Sequence, residues 1–159
     1  VAFVLAALAV RPGFRAWALP SAVVSSFIGL VGALLAGSTG EALQNSVDRT
    51  QFVRNHIQAA DRVNVFLVPF TVLIVVALVV HWARQGTIPF ASRLTRVTDA
   101  IVPRVSRWSA RTVTALIAVT AVIGGFASWA VYDAGHSGAK SVWHDVKIVP
   151  ENHGGDNDD

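Results

Sequence analysis

The chain has 159 residues, of which 53% are hydrophobic and only 14% are charged, and its formal net charge is +3 at pH 7. A soluble domain carries about 25% charged residues and interrupts its apolar runs more often. The absence of cysteine excludes disulfides, thiolate metal sites, a cysteine nucleophile and covalently attached c-type haem. The positive balance does not predict nucleic-acid binding, because the basic residues mostly flank long apolar runs, as membrane orientation requires.

Four apolar segments occur along the chain, and three of them are long enough to cross a bilayer. A bilayer core about 30 Å thick needs roughly 20 mainly apolar residues per helix. The three long segments contain no charged residue, whereas the first is shorter and is expected to be the end of a helix that begins before the given sequence. This pattern predicts an all-α, integral membrane, up-and-down four-helix bundle whose first helix is only partly present. The predicted spans are residues 1–10 (partial), 16–36, 63–82 and 112–132.

The charges of the connecting segments predict how these spans are oriented. The connection at residues 84–111 contains six arginines and one acid, whereas the segment after Tyr132 is mainly acidic. Because cytoplasmic loops are enriched in Lys and Arg, the basic connection is predicted to be cytoplasmic and the C-terminal tail external. The lipid bilayer is therefore the first predicted partner of the chain.

The domain organisation is expected to be simple. One membrane helical domain over residues 1–147 precedes a disordered acidic tail over residues 148–159, whose hydrophobicity is low. No Ser-His-Asp order, no phosphate-binding loop and no charge within a span stands out. The sequence therefore predicts no catalytic residue, and an enzyme is the less favoured interpretation.

His56 is the most informative polar residue of the chain. It lies in a helical extension ahead of the second full span, yet it shares a helix face with five apolar residues at spacings of three, four and seven. We therefore expect its ring to point toward neighbouring helices. Two interpretations follow: a buried histidine hydrogen-bonded to a neighbour, or a ligand of a metal ion or haem. The apolar residues are Phe52, Val53, Ala59, Ala60 and Val63.

A cluster at the outer face follows from the predicted topology. At about 1.5 Å per helical residue, His136 lies about 6 Å and His56 about 10 Å beyond the outer edge of their spans. Glu41 reaches the same layer, and His144 is a further candidate. Imidazole and carboxylate ligands suit zinc, iron or manganese, and two imidazoles suit haem b. The alternative is a set of unconnected interfacial polar residues, as is expected of His81 at the opposite interface.

Several short motifs resemble those of a known family. The segments GSTGEALQNSV, FVRNHIQAADR and GGFASWAVYDAGHSGAKSVW occur in this order, after the basic turn RPGFRAWAL. Together they resemble an uncharacterised bacterial four-helix membrane family, domain of unknown function twenty-two thirty-one. The resemblance implies that the chain lies in the inner (cytoplasmic) membrane of a bacterium. That family opens with a His-Pro segment that this chain lacks, so any site that needs the segment is incomplete here. The resemblance covers nearly the whole chain and implies roles for Glu41, His56, Gly125, Tyr132, Gly135 and His136.

Two functions of different classes remain as hypotheses. The first is a small membrane protein that holds haem b or a metal ion at its outer face for electron transfer, with His56 and His136 as ligands and Glu41 and His144 as further metal ligands. The second is a non-catalytic accessory or assembly subunit of a larger membrane complex, respiratory or otherwise energy-converting. Its partners would be other membrane subunits or a second copy of the chain.

Overall fold

The structure, a computed structural model, describes residues 1–44, 51–86 and 102–143. Apart from a single helical turn at residues 102–105, four α-helices account for most of the described residues, and a 3-10 turn, Pro12–Phe14, lies between the first two. No β-strand occurs in the described ranges, so the prediction of an all-α chain is confirmed there. The helices are α1, Ala2–Leu8; α2, Arg15–Gln44; α3, Gln51–Gln85; and α4, Ala110–Trp143.

The three long helices contain the three full spans predicted from sequence. They have 30, 35 and 34 residues, and each is long and apolar enough to cross a membrane. At about 1.5 Å per residue each helix is roughly 45–50 Å long, well beyond the thickness of a bilayer core. Both α3 and the end of α4 therefore continue past the apolar runs into more polar sequence. His56 and His136 lie in these continuations.

The helix ends follow from local chemistry. Pro12 occupies the first position of the 3-10 turn, where a missing N–H removes no helical hydrogen bond. At the C-terminal end of α3, Gly86 has a φ of 67° and its N–H donates to the carbonyl of Ala83. Glycine adopts this left-handed conformation without the steric cost of a Cβ, so it ends the helix.

The helices pack side by side in an up-and-down order. Helix α1 contacts α2 and α4, α2 contacts α3, and α3 contacts α4 over the most extensive interface. The pairing of α3 with α4 is antiparallel, because early residues of α3 meet late residues of α4: His56 contacts Ala134, Phe66 stacks on Phe126 and Phe70 reaches Gly124. Arg15, at the start of α2, donates a hydrogen bond to Thr114, near the start of α4. The starts of α2 and α4 therefore lie together with the end of α3; we call this the Arg15 end. The opposite end is the His56 end.

The core between the helices is apolar, and its few hydroxyl groups are hydrogen-bonded within their own helices. Thr71 donates to the carbonyl of Leu67 and Thr120 to that of Leu116, each at less than 3 Å. Such bonds remove the cost of burying a hydroxyl without needing a partner on another helix. The largest fully buried apolar side chains are Leu19, Phe70, Ile74, Val113 and Ile117.

A close approach of α3 to α4 depends on one glycine. The Phe70 ring lies against the backbone of Gly124, where a Cβ would be only 2.6 Å from Cε2 of that ring. Glycine is the one residue that leaves this space, so Gly124 permits α3 and α4 to pack closely. At Gly125 a Cβ would be 3.6 Å from Phe3, which is an ordinary contact.

Candidate functional site

The ring of His56 is held at the α3–α4 interface by hydrogen bonds to α4. Its Nδ1 lies 3.1 Å from the carbonyl oxygen of Ala134 and 3.3 Å from Oγ of Ser137. A carbonyl only accepts hydrogen bonds, so Nδ1 donates to it, and the lone pair of the neutral ring lies on Nε2. The half-buried ring points toward the neighbouring helix, so that prediction is confirmed.

A glycine of α4 leaves room for the ring. A Cβ on Gly138 would be 3.0 Å from Cε1 and 3.2 Å from Nδ1 of His56. Ser137 also donates to the carbonyl of Ala134, at 3.0 Å, which fixes its hydroxyl beside the ring. We call His56, Ala134, Ser137 and Gly138 the His56 clasp. It joins the beginning of α3 to the end of α4.

One ion pair supports the same junction. Arg62 and Asp133 approach to 3.2 Å between Nη1 and Oδ2, with 47% and 35% of their side chains exposed. Because both groups are well solvated, the pair contributes little to stability. Its geometry repeats the antiparallel register of α3 and α4.

His136 belongs to a different face of α4. Its ring stacks on that of Tyr132, with centroids 5.9 Å apart and planes 7° apart, and the residue is exposed. At about 100° per helical residue, His136 lies about 160° around α4 from Ala134, the residue that bonds His56. The structure therefore does not bring His56 and His136 together within one chain.

The remaining predicted site residues are described only in part. Glu41 lies in the last turns of α2, whose side chains from residue 41 onward are not described, and His144 lies outside the described residues. Within the described residues no group of three His, Cys, Asp or Glu side chains is placed to hold a metal ion. Of the two predicted ligands whose side chains are described, His56 contacts another helix through a ring nitrogen, whereas His136 stacks on Tyr132 of its own helix.

The Arg15 end contains a buried cation that sequence reasoning treated only as an orientation charge. Arg15 is 6% exposed. Its Nε donates to the carbonyl of Ala9 at 3.1 Å, and its Nη2 donates to the carbonyl of Val10 at 3.1 Å and to Oγ1 of Thr114 at 2.7 Å. The guanidinium thus caps the end of α1 and ties the α1–α2 turn to α4.

A sequence signal for the burial of Arg15 does exist. Residues Ala18, Leu19 and Ala22 follow it at spacings of three, four and seven, and all three are fully buried. An arginine at the head of such a row lies on the buried face of its helix. Its partner Thr114, which is 99 residues away, has no local signal.

His81 lies beside this arginine. The charges of Arg15 and Arg84 both act on its ring. Its Nε2 is buried and has no hydrogen-bond partner among the described residues. A buried polar atom without a partner is rare in folded proteins, because it loses the hydrogen bonds of water without replacement.

Comparison with known proteins finds no family model, no curated protein and no solved structure that matches this chain. The resemblance to the four-helix membrane family therefore stays a prediction. The function must be argued from the helices, the His56 clasp and the residues of the Arg15 end.

Proposed function

We propose that the protein is an integral membrane protein of four-helix bundle architecture that acts as a non-catalytic accessory or assembly subunit of a larger membrane complex. The observation that carries this proposal is the exposed surface of α2. Only 22% of the most apolar stretch of α2 is buried within the chain, whereas the corresponding stretches of α3 and α4 are 44% and 39% buried. Lipid and a partner helix are the two environments that cover such a surface.

The small residues of α2 favour a partner helix over lipid for part of this surface. Gly32, Ala36 and Gly40 recur every four residues, and all three are exposed. A Cβ built on Gly32 or Gly40 would meet nothing within 4 Å. Within membranes, small residues at this spacing allow the backbones of two helices to approach closely. We call these three residues the small-residue row of α2.

The orientation follows from the charges flanking the spans. Arg11 and Arg15 precede α2, and Arg84, Arg107 and Arg111 lie at the same end of the bundle. Because cytoplasmic segments are enriched in Lys and Arg, the Arg15 end would be cytoplasmic and the His56 end external. The small-residue row would then lie toward the outer half of the membrane.

The test is the size of the complex extracted from native membranes by a mild detergent. We expect the wild-type chain to migrate well above its own mass of 16.9 kDa. Gly32→Leu and Ala36→Leu should shift it to the monomer, because a large side chain separates the helix backbones. Val24→Phe, which enlarges an exposed residue of α2 outside the row, is the matched control. A wild-type chain that migrates as a monomer would refute the accessory role.

One observation favours the second candidate, a haem or metal ion held at the His56 end for electron transfer. Metal-binding histidines commonly donate one ring N–H to a backbone carbonyl, and the other nitrogen then faces the metal. His56 shows the first half of this arrangement through Ala134. Because His136 lies on the far side of α4, a second ligand would have to come from Glu41, His144 or another subunit.

The two candidates differ in their spectra. A bound haem b would give a Soret band in the purified full chain, and a bound metal ion would give a stoichiometric signal in elemental analysis. Either signal should disappear in His56→Ala and persist in His136→Ala. Absence of both signals from the wild-type protein would rule out this candidate and leave the accessory role untouched.

A further inference from the structure

The Arg15 end combines three cationic or protonatable side chains from two helices. Arg15 begins α2, while His81 and Arg84 lie in the last turns of α3. His81 and Arg84 are three residues apart on α3 and share one face of that helix. Helix α2 contacts α3, and Arg15 lies near enough for its charge to influence both residues. We call these three residues the basic cluster.

Arg15 is fixed in place but still has free donors. The hydrogen bonds to Ala9, Val10 and Thr114 use Nε and Nη2. The other terminal nitrogen, Nη1, makes no hydrogen bond with any described residue. A guanidinium held rigidly by part of its donor set presents the rest in a defined direction, so binding a ligand there costs little conformational entropy.

Nothing of opposite charge lies near the cluster in the described part of the chain. The described acids Asp61 and Asp133 lie at the His56 end. At about 1.5 Å per residue, Asp61 is roughly 30 Å from His81 along α3, and Asp133 is about 28 Å from Thr114 along α4. A 94% buried guanidinium without a carboxylate is costly unless another anion compensates it.

The unpartnered Nε2 of His81 is the second, independent indication. It is buried beside the two arginines and has no acceptor or donor from the described chain. A phosphate oxygen would satisfy it, since phosphate accepts a hydrogen bond from an imidazole N–H and also pairs with a guanidinium fork.

We propose that the basic cluster of Arg15, His81 and Arg84 binds a phosphate group at the Arg15 end of the bundle. Arg15 and His81 supply fixed donors from the interior, and the exposed Arg84 closes the site from the solvent side. The phosphate belongs to the headgroup of an anionic phospholipid or to a soluble phosphate. This binding goes beyond the proposed accessory role, because it requires no partner protein.

The experiment uses the purified full chain in neutral detergent micelles and two probes. Inorganic phosphate is titrated calorimetrically, and retention of dioleoyl phosphatidylglycerol is compared with that of dioleoyl glycerol, which lacks the phosphate, by native mass spectrometry. Arg84→Ala and His81→Leu are expected to weaken binding about tenfold each, as expected for loss of one charge-assisted hydrogen bond. Arg15 is left intact in this experiment because it also holds α1 in place.

The matched control is Arg111→Ala. Arg111 is exposed at the same end of the bundle, but it lies on α4 and not on the face of α3 that carries His81 and Arg84. Retention of the phospholipid with competition by inorganic phosphate would identify a headgroup site, and binding of inorganic phosphate alone would identify a soluble ligand; both support the proposal. It is overturned if the wild-type chain binds neither probe, or if Arg111→Ala weakens binding as much as Arg84→Ala.

Discussion

Helix α3 carries a histidine near each end, and the two rings have opposite surroundings. At the start of α3, His56 donates to the carbonyl of Ala134 and rests on the backbone of Gly138. Near its end, His81 has a buried Nε2 without a described partner beside two positive charges. The first ring closes a contact between helices, whereas the second leaves hydrogen-bonding capacity unused.

The helix that faces each histidine, more than the histidine itself, decides the role of the ring. A helix carbonyl accepts a side-chain hydrogen bond only where the facing helix comes close, and Gly138 allows that approach at the His56 end. At the Arg15 end, no described group makes a hydrogen bond to the Nε2 of His81.

The Arg15 end should lose the most stability when its buried cation is removed. Arg15→Ala deletes three hydrogen bonds and leaves the carbonyls of Ala9 and Val10 without a donor. We expect a loss of about 3 kcal/mol in the free energy of unfolding, since hydrogen bonds to charged groups contribute roughly 1.5–3 kcal/mol. Denaturant unfolding in micelles, followed by circular dichroism, measures it. Arg11→Ala, an exposed arginine of the same turn, should change little; equal losses would contradict the role of Arg15.

The α3–α4 interface at Gly124 should lose nearly as much stability when it is overpacked. Gly124→Ala places a Cβ 2.6 Å from the ring of Phe70, which is 2% exposed and has no room to retreat. Overpacking of this kind costs about 2 kcal/mol. Gly135→Ala in the same helix meets nothing within 4 Å and should gain about 0.5 kcal/mol from helix propensity. Unfolding midpoints that move in the same direction for both variants would argue against close packing at the α3–α4 interface.

The two histidines should respond oppositely to the same substitution. His56→Leu leaves the carbonyl of Ala134 with less hydrogen bonding and should cost about 1 kcal/mol. His81→Leu removes an unsatisfied nitrogen and, in phosphate-free buffer, should be neutral or stabilising. The measurement is the free energy of unfolding of both variants under identical conditions. If His81→Leu lowers the free energy of unfolding as much as His56→Leu does, the two rings do not differ in their hydrogen bonding as described.

The ion pair beside the clasp should have the smallest effect. Asp133→Asn removes the charge that faces Arg62, but both side chains are substantially exposed. We expect a change below about 1 kcal/mol at low salt. Raising the ionic strength should abolish it, because solvent-exposed charges are screened. A loss of several kcal/mol in the free energy of unfolding that does not depend on salt would contradict this expectation, because it would show that the pair is shielded from solvent.

Much of the fold could be predicted because it depends on local sequence. Long apolar runs without charge indicate helices of membrane length. The same reasoning predicted that His56 faces the neighbouring helices, because apolar residues surround it at spacings of three, four and seven.

What could not be predicted is the rotation of one helix against another. The packing of Phe70 on Gly124 fixes which face of α4 meets α3, and that rotation turns His136 outward onto Tyr132. Similar height along the bundle, which the sequence does indicate, is therefore insufficient to form a ligand pair. The bond of Arg15 to Thr114 likewise joins residues 99 positions apart and leaves no local pattern.

The central claim, that α2, α3 and α4 cross a membrane with the His56 end outside, can be tested by cysteine labelling. The chain contains no cysteine, so single variants report one position each. A membrane-impermeant maleimide applied to intact cells should label Gln58→Cys, label Gln85→Cys only after permeabilisation, and leave Val119→Cys unlabelled until detergent is added. Equal labelling of Gln58→Cys and Gln85→Cys in intact cells would contradict the proposed membrane topology.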